Sequence, residues 1–245
     1  MRWFKADLHI HSVLSPCGSL QMSPKNVIKK AKEKRLDMIA ITDHNSMANC
    51  RVYEKFAERN DIKFIYGVEI QSAEEIHILS FFDEWDKAQE FDNLLYESLL
   101  PRKNEPEFFG DQVVIDEHEN IIRLEEKALI NSSVWSFEEV LKKVHDFGGF
   151  AVPAHVDATS FSVLAQLGFI PENSFVSALE ITKKCSAEKF LSQYPNLRKY
   201  ALIKNSDAHY PEEIGSGFTE YYLQEPTVEE IMFACKNFKN RKIKN

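Results

Sequence analysis

The chain has 245 residues, 44% hydrophobic and 28% charged, with a formal net charge of −8 from 38 acidic and 30 basic side chains. That length supports a substantial core without requiring two domains, and the acidic balance argues against holding long nucleic acid by bulk electrostatics. Four scattered cysteines (Cys17, Cys50, Cys185, Cys235) form no CxxC and read as reduced thiols, and no leader or bilayer-length apolar run stands out, so a cytoplasmic protein without a membrane partner is expected.

In chain order, short β-branched runs alternate with amphipathic helical patterns, the signature of βα units around a parallel sheet. Strands are predicted near 3–11, 36–44, 62–70, 75–82, 150–155, 176–182 and 201–206. The first helix, "SPKNVIKKAKEKR", opens with Ser23 as N-cap and Pro24 at the first helical position. "DQVVIDEHENIIRL" breaks the alternation and reads as a β-hairpin turning at 117–120, after a polar stretch over 101–110. It is taken as a rim insertion (about 101–130) within a single domain, 1–245. "SFEEVLKKVHDFGG" runs from a Ser136 cap to Gly148 and Gly149, with Phe137, Val140, Leu141 and Val144 at helical spacing. A last helix, "TVEEIMFACKNFKN", is capped by Thr227, and its basic end reads as a solvated terminus favoured by the helix dipole.

Polar residues that strands seldom tolerate collect at the strand ends. His9 and His11 end the first strand, Asp43 and His44 the second, and Glu69 the third. His77 lies in the fourth, His155 ends the fifth, and Asp207 and His209 follow the last. Residues i and i+2 of a strand face the same way, so His9 and His11 can grip one ion from one side. Taken singly, each residue has an ordinary reading: a hydrogen-bonded packing histidine, a helix cap at Asp43, an internal ion pair at Glu69. Together, so many buried polar groups need a compensating charge, which divalent cations supply. His118 in the hairpin turn and His145 on a helix are read as ordinary residues.

The segments "DLHIHS", "ITDHN", "PAHVD" and "NSDAH", with "GVEI" and "IHIL", resemble the polymerase and histidinol phosphatase (PHP) family of metal-dependent phosphoesterases, from Asp7 to His209. The resemblance implies a distorted seven-stranded (β/α)7 TIM-like barrel, an α/β fold, with a site for two to three divalent ions. Carried over residue by residue, it assigns His9, His11, Glu69 and Asp207 to a first ion. Glu69 would bridge to a second held by His77 and His155, and His44 and His209 would hold a third. Where many members place a carboxylate or histidine after HxH, this chain has Pro16 and Cys17. Either Cys17 gives a thiolate to the third ion, tilting it towards zinc, or it is an inert small residue.

Imidazole with carboxylate suits zinc, manganese or iron. Paired ions activate water at neutral pH and neutralise phosphate oxygens, and the chain has no GxSxG-type nucleophile element. Asp43 is placed to orient His44 or an activated water, and His209, where it is not fully committed to the third ion, to protonate a leaving oxygen. Glu180 is expected to pair internally with a lysine, the alternative being an acid supporting the site. Lys183 and Lys184 are candidates for gripping substrate phosphate. The expected activity is hydrolysis of a phosphate monoester or short phosphodiester on a small phosphorylated substrate. A nuclease acting on DNA or RNA ends and a non-catalytic metal-stabilised module are the alternatives.

Overall fold

β1 (Arg2–Ile10) fixes the architecture. In the computed structural model, which describes residues 1–172 and 175–244, its Phe4, Ala6 and Leu8 alternate into an interior cluster with Ile65, Leu79, Phe150, Val152 and Tyr221. It pairs in parallel with β2 (Met38–Ile41), and β2 with β3 (Lys63–Gln71). β4 (His77–Phe82) then runs antiparallel to β3, and β7 (Phe150–Pro153) antiparallel to β4. On the other flank β10 (Thr219–Leu223) pairs antiparallel with β1, and β11 (Lys242–Lys244) with β10. The result is a curled, mixed seven-stranded sheet in the order β11-β10-β1-β2-β3-β4-β7.

The expected parallel sheet is therefore corrected. Only residues 72–76 separate β3 from β4, too few for a crossover helix, so the chain must double back. β8 (Ala178–Glu180) and β9 (Ala201–Ile203) form a parallel pair of their own. They lie between the flanks of the curl: Val156 N–H donates to Glu180 C=O, and Ala208 exchanges main-chain bonds with His9 and His11.

Helices cover the outside. α1 (Pro24–Glu33) turns Val27, Ile28 and Ala31 inward, but Ser23 makes no side-chain cap bond. α2 (Cys50–Glu58) and α3 (Trp85–Ser98) follow, and α4 (Pro106–Phe109) is one turn. α5 (Phe137–Asp146) has the reciprocal Ser136–Glu139 capping box and buries the four expected apolar residues. α6 (Val163–Gln166) and α7 (Ala187–Gln193) flank β8 in the chain. α8 (Val228–Cys235), capped by Thr227, sends Val228, Ile231 and Ala234 into the interior cluster. Asp83, just past β4, accepts from Val228 N–H. Because β4 is antiparallel to β3, this places α8 at the end of the sheet away from the carboxyl ends of β1–β3.

β5 (Val113–Ile115) and β6 (Ile121–Leu124) pair antiparallel, and the Asp116 carboxylate accepts the His118 and Asn120 N–H groups of the turn between them. Asn49 tethers this hairpin by bonding both Val113 C=O and Ile115 N–H, while Val113 N–H donates to Val13 C=O. Among the described residues no helix is long and apolar enough to cross a membrane.

Candidate metal centre

The register of β1 against β2 shifts between Asp7 and Ile10: Asp7 faces Ile39, whereas Ile10 faces Ile41. The extra residue on β1 is a bulge, and a bulge re-aims side chains. Before it, Leu8 points inward; after it, Ile10 packs with the outer helical cluster, so His9 and His11 turn to the interior. Asp7 is left on the other side, where it accepts from Ser206 N–H and Gly215 N–H and anchors the segment carrying Asp207 and His209. Burial pushes the Asp7 carboxyl up to about 6 despite those bonds.

The His9 and His11 Nε2 atoms lie 3.3 Å apart. His9 Nδ1 stands 3.1 Å from both oxygens of Glu180, which can only accept as a carboxylate. His11 Nδ1 stands 2.9 Å from Ser15 Oγ. That hydroxyl spends its hydrogen on Asp43 and also accepts from His44 N–H, so His11 Nδ1 must donate to it. As neutral rings, both histidines therefore turn Nε2 lone pairs towards one point. Two such lone pairs can hold a cation between them.

Glu69, at the end of β3, completes the arrangement. Its oxygens lie 3.4 Å from His9 Nε2 and 3.5 Å from His11 Nε2, and Asp207 Oδ1 lies 3.3 Å from each of those nitrogens. A tetrahedron with corners about 2.0–2.1 Å from its centre, the usual zinc–nitrogen and zinc–oxygen distance, has edges of about 3.3–3.4 Å. His9, His11 and Glu69 thus form a group with ligand atoms within 4.8 Å of one another and edges of that size, and Asp207 adjoins it through the two histidines. Burial alone would lower the His9 pKa, yet the carboxylates of Glu180, Asp207 and Glu69 hold it well above its ordinary value. The same field that attracts a proton attracts a metal ion in its place.

Glu69 also approaches His77 Nδ1 at 3.0 Å, His44 Nδ1 at 3.1 Å and His155 Nε2 at 3.3 Å. Burial would raise the Glu69 pKa, but His77, His9 and His44 pull it well below the carboxylate range. The His44 Nδ1 contact lacks hydrogen-bond geometry, which leaves that buried nitrogen without a donor or acceptor. Gln71, with its amide committed to Ser132, offers its carbonyl to His77 Nε2 at 3.2 Å and so turns Nδ1 towards Glu69. His44, Glu69 and His77 form a second group with ligand atoms within 4.8 Å of one another, and His155 adjoins it through Glu69.

A third group joins His11, Cys17, His44 and His209. Expected to share only a third ion with His209, His44 thus lies within reach of two groups. Cys17 is carried there by a tight loop in which Gly18 N–H bonds Ser15 C=O; a Cβ on Gly18 would meet Ser12 O at 2.5 Å. Without an ion, burial and the charges of Glu69 and Asp43 push the Cys17 thiol up. The His209 ring stacks on His11 at 4.2 Å, and its Nδ1 lies 3.0 Å from Asp207 C=O.

Asp43 does not reach His44 through its side chain. It accepts from Ser12 N–H, Ser12 Oγ and Ser15 Oγ, and so acts on His11 through Ser15. The two lysines expected to grip phosphate also lie elsewhere: Lys183 Nζ donates to Ser206 C=O beside Glu213, and Lys184 is exposed. Glu180 pairs with no lysine; its carboxylate serves His9, His155 N–H and Asn205. His118 is exposed in the hairpin turn, and His145 stacks on Phe175, both away from the site.

The cluster of histidines and carboxylates opens into a cavity of about 330 Å³, walled also by Gln71, Ile130, Ala158, Ser160, Phe161 and Thr182. No lysine or arginine among the described residues lines it. Left-handed backbone clusters around it, at Asn45 (φ 51°), His155 (31°), Phe161 (55°) and Asp207 (49°). Strain on the order of 1–3 kcal/mol per residue is the kind stored at functional sites.

The sequence pattern of the PHP domain matches residues 7–190, and that of a PHP-associated region matches residues 194–239. An uncharacterized protein of Bacillus subtilis, YqxK, is 33% identical over 107 residues, covering 42% of this chain and 27% of that protein. Among solved structures, the lesion-specific endonuclease Q of Pyrococcus furiosus superposes with a TM-score of 0.75 at 20% identity, over 98% of this chain and 57% of the endonuclease. A Bifidobacterium adolescentis chain that carries the name metal-dependent phosphoesterase gives 0.58 at 17% identity, over 84% of this chain and 88% of that one. The chain thus spans about a quarter of the B. subtilis relative and just over half of the endonuclease.

Proposed function

This chain belongs to the PHP domain family, and from that premise we propose that it hydrolyses a phosphate monoester or short phosphodiester at a centre of two to three divalent ions. The observation that carries the reading is the convergence of His9, His11 and Glu69 at metal-ligand spacing, with Asp207 against both histidines, beside two further groups of donors that share Glu69, His11 and His44. His77, His44 and His155 would hold a second ion with Glu69, and Cys17, His44 and His209 a third. Zinc, manganese or iron fits this donor set.

When bound, such ions lower the pKa of a water held between them and neutralise phosphate oxygens. The protein's own residues do the rest. Glu180, Gln71 and the Ser15–Asp43 pair hold His9, His77 and His11 in the ring orientation that ligation needs. His209, where it does not ligate a third ion, would give a proton to the leaving oxygen. With no lysine or arginine in the wall, charge neutralisation falls to the ions. The whole of 1–245 is read as one such unit, with the hairpin as its rim. Its four free cysteines suit a reducing cytoplasm.

A second reading, a nuclease, draws on the fold: the superposition with endonuclease Q covers nearly the whole chain and scores above that with the phosphoesterase. The test is turnover by zinc- or manganese-loaded protein of an aryl phosphate, nucleotides and DNA oligonucleotides, with Glu69→Gln as control. Release of phosphate from small esters supports the first reading, and cleavage of oligonucleotides alone supports the second. Protein shown to be loaded yet inert on all of them would be a metal-stabilised module instead.

A further inference from the structure

Phe161 stands out in the cavity wall. Its ring lies parallel to His77, with centroids 4.8 Å apart and planes 14° from parallel, yet it remains 40% exposed. One face covers the imidazole, and the exposed remainder of the residue lines the cavity. The backbone holds it there in a conformation that bulky residues seldom adopt, with φ at 55°. Phe161 C=O accepts His77 N–H at 2.9 Å, and the next residue, Ser162, donates to Ala158 C=O and accepts from Ala165 N–H. Ring and main chain are both registered to His77. Glycine or asparagine would meet that backbone demand more easily, so the aromatic ring is explained by what it presents.

The surrounding wall narrows the choice of ligand. Beyond the histidines and carboxylates it offers Cys17, Ile130, Ala158, Ser160 and Thr182, while the Thr182 hydroxyl is donated to Asp157 and Gln71 is committed to His77 and Ser132. A polyol would find few hydrogen-bond partners here. A flat, unsaturated ring would find apolar contacts at Ile130 and Ala158 and a partly exposed aromatic ring.

We propose that Phe161 is a stacking platform for a nucleobase, so that the phosphate hydrolysed at this centre belongs to a nucleotide unit. The inference rests on the phosphoesterase reading of the same cavity and names its substrate class. Stacking of a base on an aromatic side chain is strong and tolerant of base identity. A free nucleotide and the terminal nucleotide of a strand share this chemistry.

The test is calorimetric binding to metal-loaded protein of non-hydrolysable phosphonate analogues of adenosine monophosphate and ribose 5-phosphate. The adenosine compound should bind the unaltered protein more tightly. Phe161→Ala should erase about tenfold of that preference, and Phe161→Trp should keep it, with metal content measured in each. Equal affinities in the unaltered protein would overturn the proposal, as would a Phe161→Ala variant that loses both ligands alike through a displaced His77. Turnover of phosphate esters without base preference would sink the platform and spare the hydrolase. Base-dependent binding without turnover would do the reverse. A parallel titration with a 3′-phosphorylated oligonucleotide assigns the base to a strand if it binds more tightly than the free nucleotide.

Discussion

His9 and His11 face each other through Nε2 atoms 3.3 Å apart, each with its Nδ1 turned to a fixed partner, Glu180 or Ser15. With Glu69 and Asp207 both against these rings, the ion-free centre crowds carboxylates and imidazoles together and draws a proton onto His9 where an ion would otherwise sit. Stripping the ions should therefore cost stability. For an ion at a hundredfold excess over its Kd the linkage is about 2.7 kcal/mol, and a chain of this length shifts by about 2–4 °C per kcal/mol. Chelation should lower the melting temperature by roughly 5–10 °C, and restored zinc or manganese should recover it. A melting temperature indifferent to chelator would mean that these residues hold no ion.

Glu180 is the carboxylate that sets the His9 ring, and it accepts from His155 N–H and Asn205 as well. Glu180→Gln keeps the shape but removes the charge and leaves an amide N–H₂ facing donors. Partners that orient a ligating histidine are typically worth about 10–100-fold in metal affinity. Competition against a chromophoric chelator should show a loss of that size while the far-ultraviolet circular dichroism stays constant. Unchanged affinity would reduce Glu180 to a packing residue.

Cys17 shares a ligand-sized cluster with His11, His44 and His209. A thiol held protonated by burial and nearby carboxylates ionises when an ion binds it. Cobalt-substituted protein should accordingly show a thiolate-to-cobalt charge-transfer band in the near ultraviolet. Cys17→Ser should abolish that band and lower the bound zinc, leaving cobalt at the His9–His11 position. The same band persisting in the variant would remove Cys17 from the ligand set.

The candidate ligands other than Cys17 were legible because they interrupt or follow apolar runs at strand ends, and the hairpin because "VVI" and "IIRL" flank a polar turn. What the residues do to one another was less so. The bulge that turns His9 and His11 inward depends on register against β2, a relation between strands. Glu180 looked like half of an ion pair until Asn205 and His155, from other elements, closed around it. β10 went unread although Thr219, Tyr221 and Leu223 alternate inward, since a strand with no helix after β9 breaks the βα rhythm. Lys183 pointed plausibly at substrate from its place in the chain, and only the fold shows its ammonium on Ser206.

Away from the centre, Asp92 on α3 accepts Met47 N–H at 2.8 Å, and burial pushes its carboxyl up to about 7, with Arg123 pulling it down and Glu125 pushing it up. In the unfolded chain the same group titrates near 3.9. Between about pH 4 and 7 the folded protein therefore holds a proton that the unfolded chain has released, so stability falls as pH rises across that window. The limiting slope is about 1.4 kcal/mol per pH unit, reduced here because Asp92 borders a polar cavity lined by Ser46, Tyr96 and Arg123. An asparagine side chain at this position would be uncharged at every pH while its carbonyl still accepts from Met47. Asp92→Asn should match or exceed the original above pH 7, and its urea midpoint should decline less between pH 5 and 7. Parallel slopes in the two proteins, measured at equal metal loading, would show that Asp92 is ionised throughout and that water reaches it freely.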